Sequence, residues 1–409
     1  MKTTAKRLIA AMAGWLIAVV ALAQTDIQVV SGVVRDAQTG RKLAAATVSF
    51  PDTHEATVTN ADGRFTLKSQ KHHSVIYISC LGYNSARITL GDSPSGELKI
   101  KLTPGAITLN EVIVSAMDAR EIVLAAIDKI DNNYSHNNEL MRCFYRETTQ
   151  KGKRYIYVAE AVTDLYKAGY NRITGIDRVA IEKGRRLVNV RRTDTLGAKI
   201  QGGPTLPVIF DLVKKNELLL DRNELGLYHL RMDIPAVLDG RPQVVVSFTP
   251  AMTTDHVLYH GKIYIDRQTL AFTRIEMELD MSDELRATEC ILLHKPAGVR
   301  FKPRELSINV AYRFDGTVSR IHYIHSDVRF HCEWRKRLFA SPYHVEAEMV
   351  VTDLQSTDAQ PISSRASFSS RESFFDKVHD FDDPYFWGDY NIIEPTESLE
   401  HAIDRLKKK

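Results

Sequence analysis

Beyond residue 140 the chain is dominated by long runs in which polar and apolar residues alternate, and a period of two makes antiparallel sheet the main solution. The runs are Met141–Gln150, Arg154–Tyr166, Arg178–Arg191, Val244–Thr249, Val257–Asp266, Ala271–Asp280, Glu284–Leu293, Arg304–Arg313, Ser319–Arg329 and His344–Thr352. Helical spacing interrupts them in few places. Val123, Ile127, Ile130 and Tyr134 share one face of a helix expected over Ala119–Tyr134, with Arg120, Glu121, Asp128, Lys129 and Asp131 between them. A short helix is expected near Pro207–Lys215, and a last one over Thr396–Lys408, where Glu397 and Glu400 come early and lysines late, as the helix macrodipole favours.

Residues 27–102 read differently, as short strands separated by turn residues: Gln28–Arg35, Ala45–Phe50, Ala56–Thr59, Arg64–Lys68, Ser74–Cys80, Tyr83–Leu90 and Glu97–Leu102. Asp36 to Gly40 closes one turn and Asn60-Ala61-Asp62-Gly63 another, with Gly63 free to take positive φ. Seven short strands of this kind predict a β-sandwich.

The series Ser31-Gly32-Val33-Val34-Arg35-Asp36, Gly40 to Val48, Thr59-Asn60-Ala61-Asp62-Gly63-Arg64-Phe65 and Gly82-Tyr83 resembles the carboxypeptidase-regulatory-like domain. That resemblance implies a transthyretin- or immunoglobulin-like sandwich and a cell-envelope setting, since the module commonly stands at the N-terminus of TonB-dependent outer-membrane transporters. Leu109-Asn110-Glu111-Val112-Ile113-Val114-Ser115 is similar to the stretch before the plug in those transporters. The chain is too short for their barrel, and it ends in Lys407-Lys408-Lys409 where an outer-membrane strand would place an aromatic residue. Asn138 to Glu147 is similar to the start of the second domain in envelope proteins that carry the same module. Tyr259-His260-Gly261-Lys262-Ile263-Tyr264-Ile265-Asp266 with Ala271-Phe272-Thr273-Arg274-Ile275 resembles the hairpin of lipoprotein-localisation-type half-barrels, which cradle acyl chains.

The expected organisation is a signal peptide over 1–23, the sandwich over 24–103, a linker over 104–116 and a larger β-rich α+β domain, half-barrel-like, over 117–409. Lys2, Lys6 and Arg7 precede an apolar run from Leu8 to Leu22, and Ala21-Leu22-Ala23 supplies small residues for cleavage before Gln24. The run is short for a membrane span, which takes about 20 residues. Export to the periplasm or the outer-membrane surface of a Gram-negative cell follows, with no transmembrane segment left after cleavage. The first cysteine is Cys80, so no lipid anchor is expected at the mature N-terminus.

The chain has 54 basic and 51 acidic residues, and three of the basic ones lie in the leader, so the mature charge is balanced and nucleic acid is excluded as a partner. Lys183, Arg185, Arg186, Arg191 and Arg192 are expected on a solvated hairpin around Gly184. Cys80, Cys143, Cys290 and Cys332 lack metal or redox spacing and sit in apolar contexts, so buried free thiols are expected, with one disulfide among the last three as the alternative.

His136-Asn137-Asn138-Glu139 has a zinc-type spacing within a stretch read as a solvated loop, and His331/Glu333 and His344/Glu346 have the wrong spacing. His256 and His260 are expected to share a strand face, whereas His322 and His325 are not. No metal and no cofactor is expected. A Gly-x-Ser-x-Gly elbow and the phosphate-loop motifs are missing from the sequence. The compositional peak is C-terminal: Phe374, Phe375, Phe381, Tyr385, Trp387 and Tyr390 alternate with Asp376, Asp380, Asp382, Asp383 and Asp389. Those aromatic residues are the candidate ligand-binding set; the alternative is a latch over an open sheet edge.

These readings predict a non-enzymatic envelope protein that binds a lipid, lipoprotein or glycan, or an outer-membrane protein. The alternatives are an envelope hydrolase with dispersed catalytic residues and an accessory docking protein of a TonB-dependent transporter.

Overall fold

A computed structural model describes residues 27–91, 96–105, 118–172, 175–188, 202–215, 219–291, 298–334, 340–380 and 386–407. The expected signal peptide, residues 1–23, and Leu109–Ser115 lie outside the described residues. The chain is mainly β. Strands β1 (Gln28–Asp36), β2 (Thr47–Ser49), β3 (Ala56–Val58), β4 (Arg64–Ser69), β5 (Val75–Ser79), β6 (Ala86–Thr89) and β7 (Leu98–Leu102) form two sheets, β4-β1-β7 and β3-β2-β5-β6. Val30, Val34, Val48, Phe65, Leu67, Ile76 and Ile78 fill the space between them. The resemblance motifs have physical roles here. Asp36 accepts from the backbone of Gln38 (2.7 Å) and Thr39 (2.9 Å) and from the Tyr83 hydroxyl (2.8 Å), so one carboxylate ties the first turn to Gly82-Tyr83. Gly63 has φ +72°, and a Cβ there would lie 2.5 Å from the Val34 carbonyl oxygen.

Next comes α1 (Ala119–Asp128), entered where the Asp118 amide donates to the Glu121 carboxylate at 3.1 Å. The helix expected to run to Tyr134 breaks at Lys129 into a single turn, α2 (Ile130–Asn133). Asn132 and Asn133 are weak helix formers, and Tyr134 turns extended to bury its ring and donate to the Phe272 carbonyl at 2.7 Å.

The remaining strands are β8 (Glu139–Lys151), β9 (Arg154–Lys167), β10 (Arg178–Val188), β11 (Tyr228–Met232), β12 (Ala236–Leu238), β13 (Arg241–Pro250), β14 (Tyr259–Asp266), β15 (Phe272–Leu279), β16 (Val299–Phe314), β17 (Ser319–Trp334), β18 (Ser341–Ser356) and β19 (His379–Asp380). They make one twelve-stranded sheet in the order β11-β13-β14-β15-β16-β17-β18-β8-β9-β10-β19, with β12 beside β13. Every pairing is antiparallel except β10 with β19. Among the described residues its two edges do not pair, so the sheet is open.

The central strands are buried on both sides. On the first face Met141, Cys143, Tyr145, Tyr157 and Ala159 meet Ile122 and Val123 of α1, together with Leu212, Leu220 and Phe374. On the second face Phe144, Val162, Tyr323 and Val350 meet Val58 of the sandwich, Trp387 and Ile393. The C-terminal segment reaches both. It packs Phe368 and Phe374 on the first face, pairs β19 with the edge strand β10, and continues over the second face into α5 (Glu397–Lys407). There it fastens the sandwich: Thr57 donates to the Ile392 carbonyl (2.9 Å), and the Asn391 side chain bonds both the amide (2.7 Å) and the carbonyl (2.9 Å) of Lys68.

Several expectations change. Glu284–Leu293 was expected as a strand, but Glu284–Ile291 is helix α4, after a loop and single-turn α3 (Leu206–Ile209) replace the longer helix expected near Pro207–Lys215. Asp283 decides α4, because its Oδ1 accepts from the Leu285 and Arg286 amides at 3.0 and 3.1 Å, capping a helix start. Residues Lys183 to Arg186 are not a solvated hairpin; they lie inside β10, where Gly184 makes room for the C-terminal segment. A Cβ at Gly184 would stand 2.7 Å from Val378 Cγ1 and 3.3 Å from the Phe374 ring. His136 and Asn137 are exposed loop residues, as expected, but Glu139 begins β8 and is buried, accepting from Ser135 (2.7 Å) and Arg320 (2.8 Å).

Candidate ligand-binding cleft

The candidate aromatic residues are distributed on both sides of the sheet. Phe374 is fully buried on the first face, edge-on to Tyr145 (ring centroids 5.7 Å apart) and Phe368 (6.2 Å). Phe375 lies over Tyr157 at 5.5 Å, with the Arg186 guanidinium 4.6 Å above it. On the second face Trp387 packs against Phe144 (5.5 Å) and Phe386 (4.7 Å) under the Arg185 guanidinium, and Tyr390 lies 5.3 Å from that of Arg142. The sheet stands between the two pairs. Phe381 and Tyr385 lie outside the described residues.

A cleft of about 410 Å³ opens instead beside the β11 edge. Its floor belongs to the core: Tyr228 and Tyr259, the first residues of β11 and β14, are both buried, and Val257 packs against the same cluster. Tyr228 is held edge-on to Phe248 at 5.5 Å and its hydroxyl accepts from the Tyr259 amide at 3.4 Å. One wall is α4, which contributes Arg286, Glu289 and Cys290; the other is the loop before β14, with Asp255 and His256. Arg286 fixes the walls to each other through the Thr254 carbonyl. Both walls also expose apolar side chains to solvent, Leu285 at 79% and Met252 at 53%. His256 is not on the strand with His260, which β14 begins too late to include; it lies 3.7 Å from Glu224 on the cleft rim.

The four cysteines are free thiols, as expected by default, but Cys290 is exposed where burial was expected. Its predicted strand is the helix α4, which buries only Ala287. The Tyr259 hydroxyl lies 4.0 Å from Cys290 Sγ. Partial burial pushes the Cys290 thiol above its ordinary value, against the opposing pull of that hydroxyl. A thiol held protonated is a poor nucleophile. The Tyr259 hydroxyl is likewise pushed up, by burial first and then by the neighbouring sulfur. What the cleft offers is shape, an aromatic floor and a charged rim.

Sequence reasoning missed two buried polar groups. Glu147 is wholly buried on the first face, accepting from the Tyr145 and Tyr157 hydroxyls at 2.5 Å each. Lys167 bridges Asp177 and Asp211 at 2.6 Å each, Lys214 meets Asp177 at 2.5 Å, and Tyr170 and Tyr312 both donate to Asp211 at 2.9 Å. Two cations balance two carboxylates there, with the hydroxyls occupying remaining lone pairs, the condition under which buried charge is tolerable. A visible signal existed for Glu147: it follows Met141, Cys143 and Tyr145 at the core phase of an alternating strand.

Residues 30–114 match the model of the CarboxypepD_reg-like domain, the family read from the motif series. No curated protein matches the chain. Among solved structures it is similar to a DUF1329 family protein from Desulfovibrio piger, at 8% identity and a TM-score of 0.24 over 57% of this chain and 91% of that one. It is similar also to a LolA superfamily protein from Nitrosomonas europaea, at 11% identity and a TM-score of 0.19 over 62% and 99% of the two chains. A third likeness is to lipovitellin, solved for its lipid–protein interactions, at 11% identity and a TM-score of 0.26; it covers 61% of this chain and only 28% of lipovitellin.

Proposed function

Residues 30–114 are a carboxypeptidase-regulatory-like domain, and from that premise we propose that the chain is a non-enzymatic envelope protein, exported to the periplasm, that holds an amphiphile such as a lipid or lipoprotein chain in the cleft beside α4. The observation that carries this reading is the cleft's make-up. Its volume of about 410 Å³ falls within the range of ligand sites, its floor continues the hydrophobic core, and its rim is charged. An apolar body can lie on Tyr228, Tyr259 and Val257 while a polar head meets Glu224, Arg286 or Glu289 at the mouth. Exposed Leu285 and Met252 extend the apolar surface outward on the two walls. The Cys290 thiol, pushed up by burial, is a poor nucleophile, which favours this reading over hydrolysis in the cleft. Among the described residues no helix is long and apolar enough to cross a membrane.

The test is mass spectrometry of lipids extracted from natively purified mature protein, paired with titration of a fluorescent fatty-acid probe. Wild type should retain lipid and bind the probe, and Val257→Arg should abolish both while leaving the circular dichroism spectrum unchanged. Empty wild-type protein whose probe signal ignores Val257→Arg would end the proposal.

A further inference from the structure

The second face of the sheet carries a block of polar side chains that the α4 cleft does not use. In register across β8, β18, β17 and β16 stand Arg146, Glu348, His325 and Asn309; the next row is Thr148, Glu346, Asp327 and Ser307. Positions two apart on each strand share a face, so both rows point the same way. His325 meets Glu346 at 2.8 Å and His344 meets Asp327 at 2.6 Å, while Arg146 joins Glu348 (3.2 Å) to Glu160 (2.6 Å). Tyr323 stacks on His325 and bounds the block toward the sandwich.

Three atoms in this block are buried and have no hydrogen-bond partner among the described residues: Thr148 Oγ1, Asn309 Oδ1 and Asp327 Oδ1. Thr148 and Asp327 are only 3% and 7% exposed; Arg329 lies 3.2 Å from Asp327 Oδ1 as an ion pair without hydrogen-bond geometry. A buried unsatisfied polar atom ordinarily costs about 1–3 kcal/mol, so three within one four-stranded block call for a partner. Access exists, because Glu346 and His325 remain about a third and a quarter exposed at the side chain.

We propose that this block is a second binding site, for a neutral polyhydroxylated ligand such as a glycan residue. Two of the three orphan atoms are pure acceptors and the third is a hydroxyl, so the ligand must bring several donors, as sugar hydroxyls do. Each carboxylate of the block already meets a basic side chain, a local balance that disfavours an added cation: Glu160 meets Arg146 and Arg185, Glu348 meets Arg146, Glu346 meets His325, and Asp327 and Glu305 meet Arg329. The His325 imidazole is pushed up, against burial, by its bond to Glu346, which strengthens that balance.

Saturation-transfer NMR on the mature protein with maltotriose, chitotriose and putrescine tests it. Transfer to at least one oligosaccharide is expected, with none to putrescine. Thr148→Val and Asn309→Ala each delete one orphan oxygen, so both should fold, and each should weaken binding about tenfold, the equivalent of one hydrogen bond of about 1.4 kcal/mol. Val257→Arg, across the sheet, should leave sugar binding intact, so the two proposals fail separately. Transfer to putrescine alone, to no oligosaccharide, or unaltered by both variants overturns the assignment and leaves the orphan atoms to water.

Discussion

Glu147 takes both of its hydrogen bonds from tyrosine hydroxyls in the middle of the first face, and burial pushes its carboxyl up from 4.5 to about 7 against their pull. The folded state therefore holds the proton more tightly than the unfolded chain. Stability from this group is complete below pH about 4.5 and is lost as the pH rises through about 7. The full difference corresponds to about 3 kcal/mol, of which roughly three-quarters disappears between about pH 5 and pH 8. Against a typical domain stability of about 5–15 kcal/mol that loss is measurable.

Glu147→Gln keeps the shape and removes the titration, so the comparison isolates this carboxyl from the histidines. Urea unfolding of both proteins at fixed ionic strength, followed by tryptophan fluorescence, should show wild type losing about 2–3 kcal/mol relative to the variant across that interval. A gap that stays constant with pH, or that moves in favour of wild type as the pH rises, would refute the account of a carboxyl held neutral in the core.

Other perturbations separate the remaining contacts. Lys167→Met leaves Asp177 and Asp211 short of a cation and should cost about 3–5 kcal/mol in thermal or urea unfolding; a loss under about 1 kcal/mol would show that the cluster is dispensable. Gly184→Val drives a side chain into Val378 and Phe374 and should cost about 1–3 kcal/mol, with faster proteolysis after Ser356. An unchanged digestion pattern would mean that the C-terminal segment is held by other contacts. Maleimide applied to the native protein should modify Cys290 well before Cys143 or Cys332, and bound lipid should slow that reaction; peptide mapping that finds Cys143 first would contradict the packing of β8.

The sandwich was legible because its information is local. Turn residues such as Asp36 and Gly63 mark the ends of β1 and the start of β4, and alternation fills in the strands between them. The long strands of the second domain were legible for the same reason. Errors fell where two local signals compete: Glu284–Ile291 carries Leu285 and Ile291 amid polar residues, and the Asp283 cap outweighs that pattern. The short edge strands β11 and β12 bury too few side chains to leave a trace. The cleft was not legible at all, since Glu224, Tyr228, His256 and Cys290 come from four separate elements and form no motif.

The binding surfaces depend most on strand order, which alternation does not encode. Glu147 could have been picked out by phase alone, yet its partner Tyr157 is set by the β8–β9 register, in which Thr149 faces Tyr157. The block on the second face requires more. Arg146 and Glu348 lie 202 residues apart and meet only because the late strand β18 inserts beside the early strand β8. Each of those strands alone reads as an ordinary solvated face. Placed side by side beneath Tyr323 and the C-terminal segment, they become a partly buried surface with unsatisfied acceptors. A polar residue on an alternating strand is therefore uninformative until its neighbours across the sheet are known, and the charged positions of β8, β17 and β18 acquire chemical meaning only through that long-range pairing.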